Sequence, residues 1–403
     1  MCMSENIKTP YFVLDRRVMT DEVDNCKRAI ATHWPNTIIA YSVKTNSLPY
    51  LAKMLNEQGV NAEVVSEDEY EMVSLCGYKP EHIVCNGPIK SREFVARLMD
   101  NHVMINMDSH VELEYAIEHA KTNPSKSFKV GLRVNVDIEK YFPTESKAGE
   151  QGSRFGFCME NDELKDAILA LNESGNIKIN GLHLHVSTST RKVEIYEWLA
   201  GLFSQLVKLH SLADIEYFDI GGGFFGGMPN KPGWNNYISA VAKILSNNGF
   251  KSESLTVILE PGVSLLAGAF SYYASVIDVK QTNRSRFIVT DGSRIHIDPF
   301  FHKTSYFYEH LPIGNQIGGG NFKKQIVVGF TCLEYDNIMN LEDHSEVHIG
   351  DLFRFDKLGA YTITLSPLFI SYYPAVYVRE EDGTTTCVRR RWTAKEFIQG
   401  SIL

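Results

Sequence analysis

"TIIAYSVKTNSLPYLAKMLNEQG", residues 37–59, passes from a β-branched and aromatic run to a helical period within one turn. The apolar stretch reads as a strand. The segment after it reads as a helix, with Ser47 as the expected N-cap. Lys44 stands where strand gives way to helix, and in α/β folds such junctions carry binding sites. Taken alone it would be read as a surface charge.

The same strand-to-helix step recurs along the chain. Further strand candidates are "VNAEVVS", "EHIVCNG", "VMINMDS", "FKVGLRVNV", "IKINGLHLHVS", "IEYFDIGGG" and "LTVILEPG". Helical periods such as "EDEYEMVSLCGY", "SREFVARLMDNH" and "HVELEYAIEHAK" lie between them. Eight strands alternate with helices between residues 37 and 262, close to the length of about 250 residues usual for a (β/α)8 barrel. Eight units in sequence favour a TIM barrel over an open doubly wound sheet.

After Gly262 the pattern changes to short strands joined by turns: "FSYYASVIDVK", "RFIVTDG", "KQIVVGFTCLE", "DLFRFDKLGAY" and "AVYVRE". Short strands without helices between them predict an antiparallel β domain. The opening "TPYFVLD" reads as a strand belonging to it, and the tail carries a Thr393–Glu396 capping box. The expected domains are therefore a barrel over residues 32–268 and a discontinuous β domain from 1–31 and 269–403.

Composition narrows the class. The 403 residues are 44% hydrophobic and 22% charged, the profile of a soluble globular protein. A net charge of −9 argues against a nucleic-acid partner or an anionic membrane. No apolar run approaches the ~20 residues of a membrane span, and the amino terminus has no signal-peptide pattern, so a cytoplasmic location is expected. The seven cysteines form no CxxC pair, which predicts reduced thiols rather than a disulfide framework or a metal site.

In a barrel, the carboxyl ends of the strands share one mouth. Lys44, Ser66, Asn86, Asp108, Arg133, His185, Gly221 to Gly223 and Glu260 stand at those ends. A triple glycine alone marks only a tight turn, but here it ends the seventh strand, where barrels commonly bind phosphate. His185 by itself would be read as a core histidine. Glu260 ends an apolar strand, where a carboxylate is costly without a cationic or protonated partner. An amine, an imidazole, a glycine loop and a carboxylate together answer the needs of pyridoxal 5'-phosphate: a Schiff-base lysine, a phosphate cradle and an acid at the pyridine nitrogen.

At this point the chain resembles the barrel-type (fold type III) pyridoxal-phosphate decarboxylases, the group of diaminopimelate, ornithine and arginine decarboxylases. The matching stretches run in family order: "YSVKTN", "AEVVSEDE", "LRVNVD", "SRFGF", "GLHLHVS", "DIGGGF", "LEPG", "TCLEYD", "GAYT" and "RRRWTAKEF". Length, opening and tail look closest to the diaminopimelate branch. The resemblance implies that Lys44 would bind the cofactor as a Schiff base, His185 would stack on its ring, and Glu260 would hold its pyridine nitrogen. Gly221, Gly222, Gly223 and Tyr361 would bind the phosphate, with Thr188 where the family usually has serine. Cys332 would act across a homodimer interface and return a proton to the reacting carbon after carbon dioxide leaves.

The chain departs from the family where substrate is read. "EPGV" puts Val263 where an arginine usually meets the phosphate. Leu333 follows the cysteine in place of an acid, with Glu334 one step on. Asp298 replaces an arginine, and "FISYYP" at 369–374 replaces an arginine-bearing stretch. Asp298, Glu334, Arg154 and Tyr372 are the candidate substrate-reading residues, with Arg191 and Arg294 as cations that would restore a lost charge. The expectation is an amino-acid decarboxylase of altered substrate. A carboxynorspermidine-type or siderophore-pathway decarboxylase and a catalytically silent relative are the alternatives.

Overall fold

The computed structural model describes residues 7–313 and 320–402. The chain divides into two compact units, Glu22–Ser264 and a discontinuous one formed by Met1–Asp21 with Leu265–Leu403.

The first unit is a closed barrel of eight parallel strands. They are β1 Thr37–Ser42, β2 Asn61–Val64, β3 Ile83–Cys85, β4 Met104–Met107, β5 Phe128–Asn135, β6 Ile177–His183, β7 Tyr217–Asp219 and β8 Thr256–Leu259. Each pairs with its sequence neighbours, and β8 pairs with β1 to close the ring. All eight lie within the expected segments. Three of the outer helices, Glu67–Leu75, Arg92–Asp100 and His110–Thr122, begin on a serine whose hydroxyl accepts a backbone N–H two or three residues into the helix. Ser66 is one of these caps, so its place near a strand end reflects helix initiation.

The turn after β1 differs from the sequence reading. Val43–Thr45 form a single 3-10 turn, and the helix starts at Pro49 rather than behind Ser47. Asn46 Oδ1 accepts the Leu48 amide at 3.3 Å, and proline supplies a first helical residue that needs no amide partner. The 3-10 turn carries Lys44 off the strand end.

Inside the barrel, Tyr217 crosses the floor. A Cβ on Gly131 or Gly181 would collide with its ring, so the glycines of β5 and β6 make the space that it fills. Its hydroxyl donates to Asn106 Oδ1 at 2.8 Å, which anchors β7 to β4.

The second unit is a mostly antiparallel sheet. Its central strand Phe270–Gln281 pairs with Tyr11–Asp15, Arg286–Thr290 and Leu352–Asp356. Two pairings are parallel: Tyr11–Asp15 with Ala375–Arg379, and Arg286–Thr290 with Asn321–Val328. Strands Phe307–Leu311, Asn337–Ser345 and Thr385–Arg389 complete it. The Thr393–Glu396 capping box is formed, on a terminal helix of one turn, Ala394–Phe397. Among the described residues no helix is long and apolar enough to cross a membrane.

Candidate active site

Lys44 Nζ lies 2.6 Å from Glu63 Oε2 on β2. Glu63 is buried and also accepts Ser42 Oγ at 2.7 Å and Asn86 Nδ2 at 3.1 Å. Burial alone would raise its carboxyl, but the Lys44 ammonium and these hydrogen bonds outweigh that and hold it below the usual range. The result is an ionised acid that fixes a lysine whose side chain is still 41% exposed. The lysine side chain is therefore not sealed in the core as Lys90 is.

Glu260, at the end of β8, is 6% exposed and takes a short hydrogen bond from Asn86 Nδ2. It is hydrogen-bonded to the fully buried Asp219 of β7. Asp219 accepts the Gly221 amide at 2.9 Å and Asn106 Nδ2 at 3.1 Å. Burial pushes both carboxyls up, Asp219 to about 7 and Glu260 well above its usual value. Two touching carboxylates in the barrel do not both ionise near neutral pH. His183 Nε2 lies 3.6 Å from Glu260 Oε2, and neither nitrogen of this 2%-exposed ring has a hydrogen-bond partner.

His185 follows β6. Its Nδ1 accepts the Gly222 amide at 3.2 Å, which requires that nitrogen to be unprotonated. Burial first, then the positive charges of Arg133 and Lys44, push the imidazole down to about 3. It is a neutral flat ring at neutral pH. The glycine loop is built around it. Gly221 and Gly223 have φ of +69° and +89°, and a Cβ at Gly221 would strike the His185 ring. At Gly222 a Cβ would strike the Glu260 carbonyl oxygen. Steric demand, which sequence did not show, explains each glycine at 221 and 222.

Lys44, His185, Gly221 to Gly223 and Glu260 thus share one end of the barrel unit. Thr188 is buried in the next loop and pairs with Ser146 in an isolated β-bridge. Arg154 is exposed and lies over the Phe155 ring at 4.7 Å. Arg191 donates to the Phe224 carbonyl at 3.3 Å and faces Phe225.

The other candidates belong to the β unit. Cys332 is an exposed free thiol on the turn after Asn321–Val328. That turn is held by buried Asp336, which accepts Thr331 Oγ1 at 2.6 Å, Ser293 Oγ at 2.9 Å and the Arg294 amide at 2.8 Å. Leu333 and exposed Glu334 share the turn and line a shallow cleft with Cys332. Tyr361 is 42% exposed with φ of +54°. Tyr372 packs against Phe397 with ring centres 5.1 Å apart.

Asp298 departs from its expected role. Its 4%-exposed carboxylate receives Arg294 Nε and Nη2 at 3.0 and 2.9 Å, the His302 and Lys303 amides, and the Tyr306 hydroxyl. Four of these donors converge on Oδ2 and one on Oδ1, so Arg294 already balances its charge before any substrate cation arrives. The same pairing neutralises Arg294, which also donates to the Lys303 and Asn337 carbonyls.

Glu63, Asp219, His183 and Asn106 were not among the sequence-derived candidates. Their common signal is a polar side chain inside a strand that is otherwise apolar on both faces. The residues fit pyridoxal 5'-phosphate. They offer a reachable lysine, a neutral imidazole, a glycine loop, and a buried carboxylate pair that lacks a cationic partner.

Comparison with known proteins agrees with this chemistry. Residues 20–267 match the family described as "Pyridoxal-dependent decarboxylase, pyridoxal binding domain". The chain is 26% identical to diaminopimelate decarboxylase of Aquifex aeolicus over 99% of its own length and 93% of the relative's. It is 23% identical to L-glutamyl-[BtrI acyl-carrier protein] decarboxylase of Niallia circulans, over 98% and 94% of the two chains. The crystal structure of diaminopimelate decarboxylase from M. jannaschii superimposes with a TM-score of 0.85 at 21% identity, covering 99% of this chain and 93% of that one.

Proposed function

We propose, because this chain belongs to the pyridoxal-dependent decarboxylase family, a role for each residue at the barrel mouth in amino-acid decarboxylation. The enzyme is a carboxy-lyase that uses pyridoxal 5'-phosphate, and bound there the cofactor would supply an electron sink for the bond to the departing carboxylate. The contact that carries the assignment is Lys44 against buried, ionised Glu63. Lys44 holds the cofactor covalently. Glu63 orients the lysine nitrogen and balances positive charge on it. His185, kept neutral, packs on the ring without repelling a cationic ring nitrogen, and Glu260 takes that nitrogen.

The glycine loop Gly221 to Gly223, with Thr188 and Tyr361, would receive the phosphate without an arginine at position 263, the Gly221 and Gly222 amides being already given to Asp219 and His185. We further propose a homodimer in which Cys332 of the second copy completes each site and returns a proton to the reacting carbon. Nothing in the barrel requires a membrane, and the cytoplasm is the proposed location.

Glu63→Gln keeps the shape of the side chain but removes its charge. Hydrogen bonds to charged groups contribute about 1.5–3 kcal/mol, so kcat/KM should fall roughly ten- to a hundredfold. Cofactor absorbance should remain but shift in its pH dependence. An unchanged rate and titration would remove Glu63 from the chemistry.

The substrate is proposed to be an amino acid without a second amino-acid centre. Diaminopimelate would bring a distal carboxylate and a distal amine. Arg294 is committed to Asp298, Leu333 is apolar, and "FISYYP" offers no arginine. Exposed Glu334 favours a cationic distal end. An unpaired buried charge costs about 3 kcal/mol or more, so kcat/KM for meso-diaminopimelate should lie on the order of 100-fold below that of the best substrate. Carbon dioxide release from meso-diaminopimelate, lysine, ornithine and arginine, with products identified by mass, tests this. A preference for meso-diaminopimelate would return the enzyme to lysine synthesis.

A further inference from the structure

Asp219 and Glu260 form a carboxyl pair whose two members have different surroundings. Both Asp219 oxygens accept donors from elsewhere: Oδ1 takes the Gly221 amide at 2.9 Å and Oδ2 takes Asn106 Nδ2 at 3.1 Å. Glu260 has one such donor, a hydrogen of Asn86 Nδ2, whose other hydrogen goes to Glu63. Two donated hydrogen bonds favour the anion on Asp219, so the proton that the pair retains belongs on Glu260 and points to Asp219.

His183 adds an independent mark. Its ring is buried, both its nitrogens lack partners, and its ligand-capable atoms lie with those of Asp219 and Glu260 within 4.8 Å of one another. Buried polar atoms without partners are rare, and Nε2 lies 3.6 Å from Glu260 Oε2. The other charged or titratable groups around the cluster are Lys44 after β1, Glu63 on β2, Lys90 after β3, Arg133 on β5, His185 after β6 and Tyr217 on β7. Lys90 is tied to Glu112 at 3.0 Å, Arg133 to Asp108 at 3.2 Å, and Lys44 to Glu63 at 2.6 Å. Among the described residues each of these cations has a carboxylate of its own, and of the three only Lys44 still favours the Glu260 anion through its charge.

We infer that Asp219 is a positioning residue for the cofactor ring: as an anion it keeps one proton on Glu260 before pyridoxal 5'-phosphate binds, and that proton is the one the ring nitrogen receives. The inference rests on the reading that this barrel binds the cofactor. The transfer is balanced within the site. The proton leaves Glu260 Oε and joins the ring nitrogen, Glu260 becomes the counter-ion, and the total charge of acids and ring does not change. The barrel is thus charged with the proton its cofactor needs, and cofactor binding draws none from solvent for the ring. In this scheme Asp219 acts on the ring only through Glu260.

The test is calorimetric titration of pyridoxal 5'-phosphate into cofactor-stripped protein, in several buffers of different ionisation heat near pH 8. Asp219→Asn keeps the shape, can donate to Glu260, and lets Glu260 ionise before binding. The variant should then take up about one proton more per site than the wild type, since proton changes at Lys44 and the phosphate are common to both. Equal uptake would overturn the inference while leaving cofactor binding intact. Should the variant fail to fold, difference infrared spectroscopy of the wild type decides. The C=O band of a protonated carboxyl group should be present without cofactor and vanish on binding. A band that persists, or is never present, contradicts the proton's assignment. Failure of the wild type to bind the cofactor at all would instead overturn the decarboxylase reading, and this inference with it.

Discussion

Lys44→Ala protein is expected to release no measurable carbon dioxide from any amino acid, a loss on the order of 10^3-fold or more. It should also lose the visible absorbance of the bound cofactor. The reason is that the lysine most like it in placement has its amine sequestered. Lys90, after β3, is fully buried, with its ammonium on Glu112 Oε2 at 3.0 Å, the Gly87 carbonyl at 2.9 Å and the Asn106 carbonyl at 3.1 Å. Extracting it would leave a buried carboxylate unpaired. Lys44 keeps its amine accessible with Glu63 as its counter-ion. Gas release with the visible band retained in the variant would assign the chemistry to another lysine.

Cys332→Ala is expected to change the product more than the rate of carbon dioxide release. A reacting carbon left without its proton donor can be protonated elsewhere on the cofactor, which diverts part of the amine product to an aldehyde or ketone. The position suits this role. The thiol is exposed on a turn whose backbone is pinned by Asp336, and a Cβ on Gly329 would collide with that carboxylate. Because the proposed donor comes from a second copy, mixing inactive Lys44→Ala with Cys332→Ala subunits should restore clean product. About a quarter of wild-type activity is expected, since half of randomly assorted dimers are mixed and each has one intact site. Mass spectrometry of products and of subunit exchange checks both parts. Clean amine at the normal rate from Cys332→Ala alone would remove the thiol from the reaction.

The barrel was legible because each strand is a short run buried on both faces and followed by a helix signal, so that periodicity and punctuation agree. The β unit was read less completely. Its unrecognised strands, Phe307–Leu311, Asn337–Ser345 and Thr385–Arg389, each pair with a single neighbour. Such edges carry polar residues, as "NIMNLEDHS" does, and lose the alternation that marks a strand. At the site, Lys44, His185, Glu260 and the glycines were visible because they stand at strand ends. Glu63, Asp219 and His183 were overlooked although Glu260 had been noticed for a shared property, an ionisable group in an apolar strand. The surroundings of Asp298 were hidden because its partner, Arg294, sits four residues earlier on the short helix Arg294–Ile297, and a local ion pair can look like a specificity switch. Contacts between side chains four residues apart depend on that helical turn, which the sequence around Pro299 did not announce.

Decarboxylation at this barrel mouth requires above all that Lys44 be the residue that holds the cofactor. The direct measurement is borohydride reduction of the protein with pyridoxal 5'-phosphate bound, followed by digestion and mass mapping of the trapped adduct. A single phosphopyridoxyl group on the peptide containing Lys44 is predicted. An adduct on Lys90 or on any other lysine, or none at all, would contradict it.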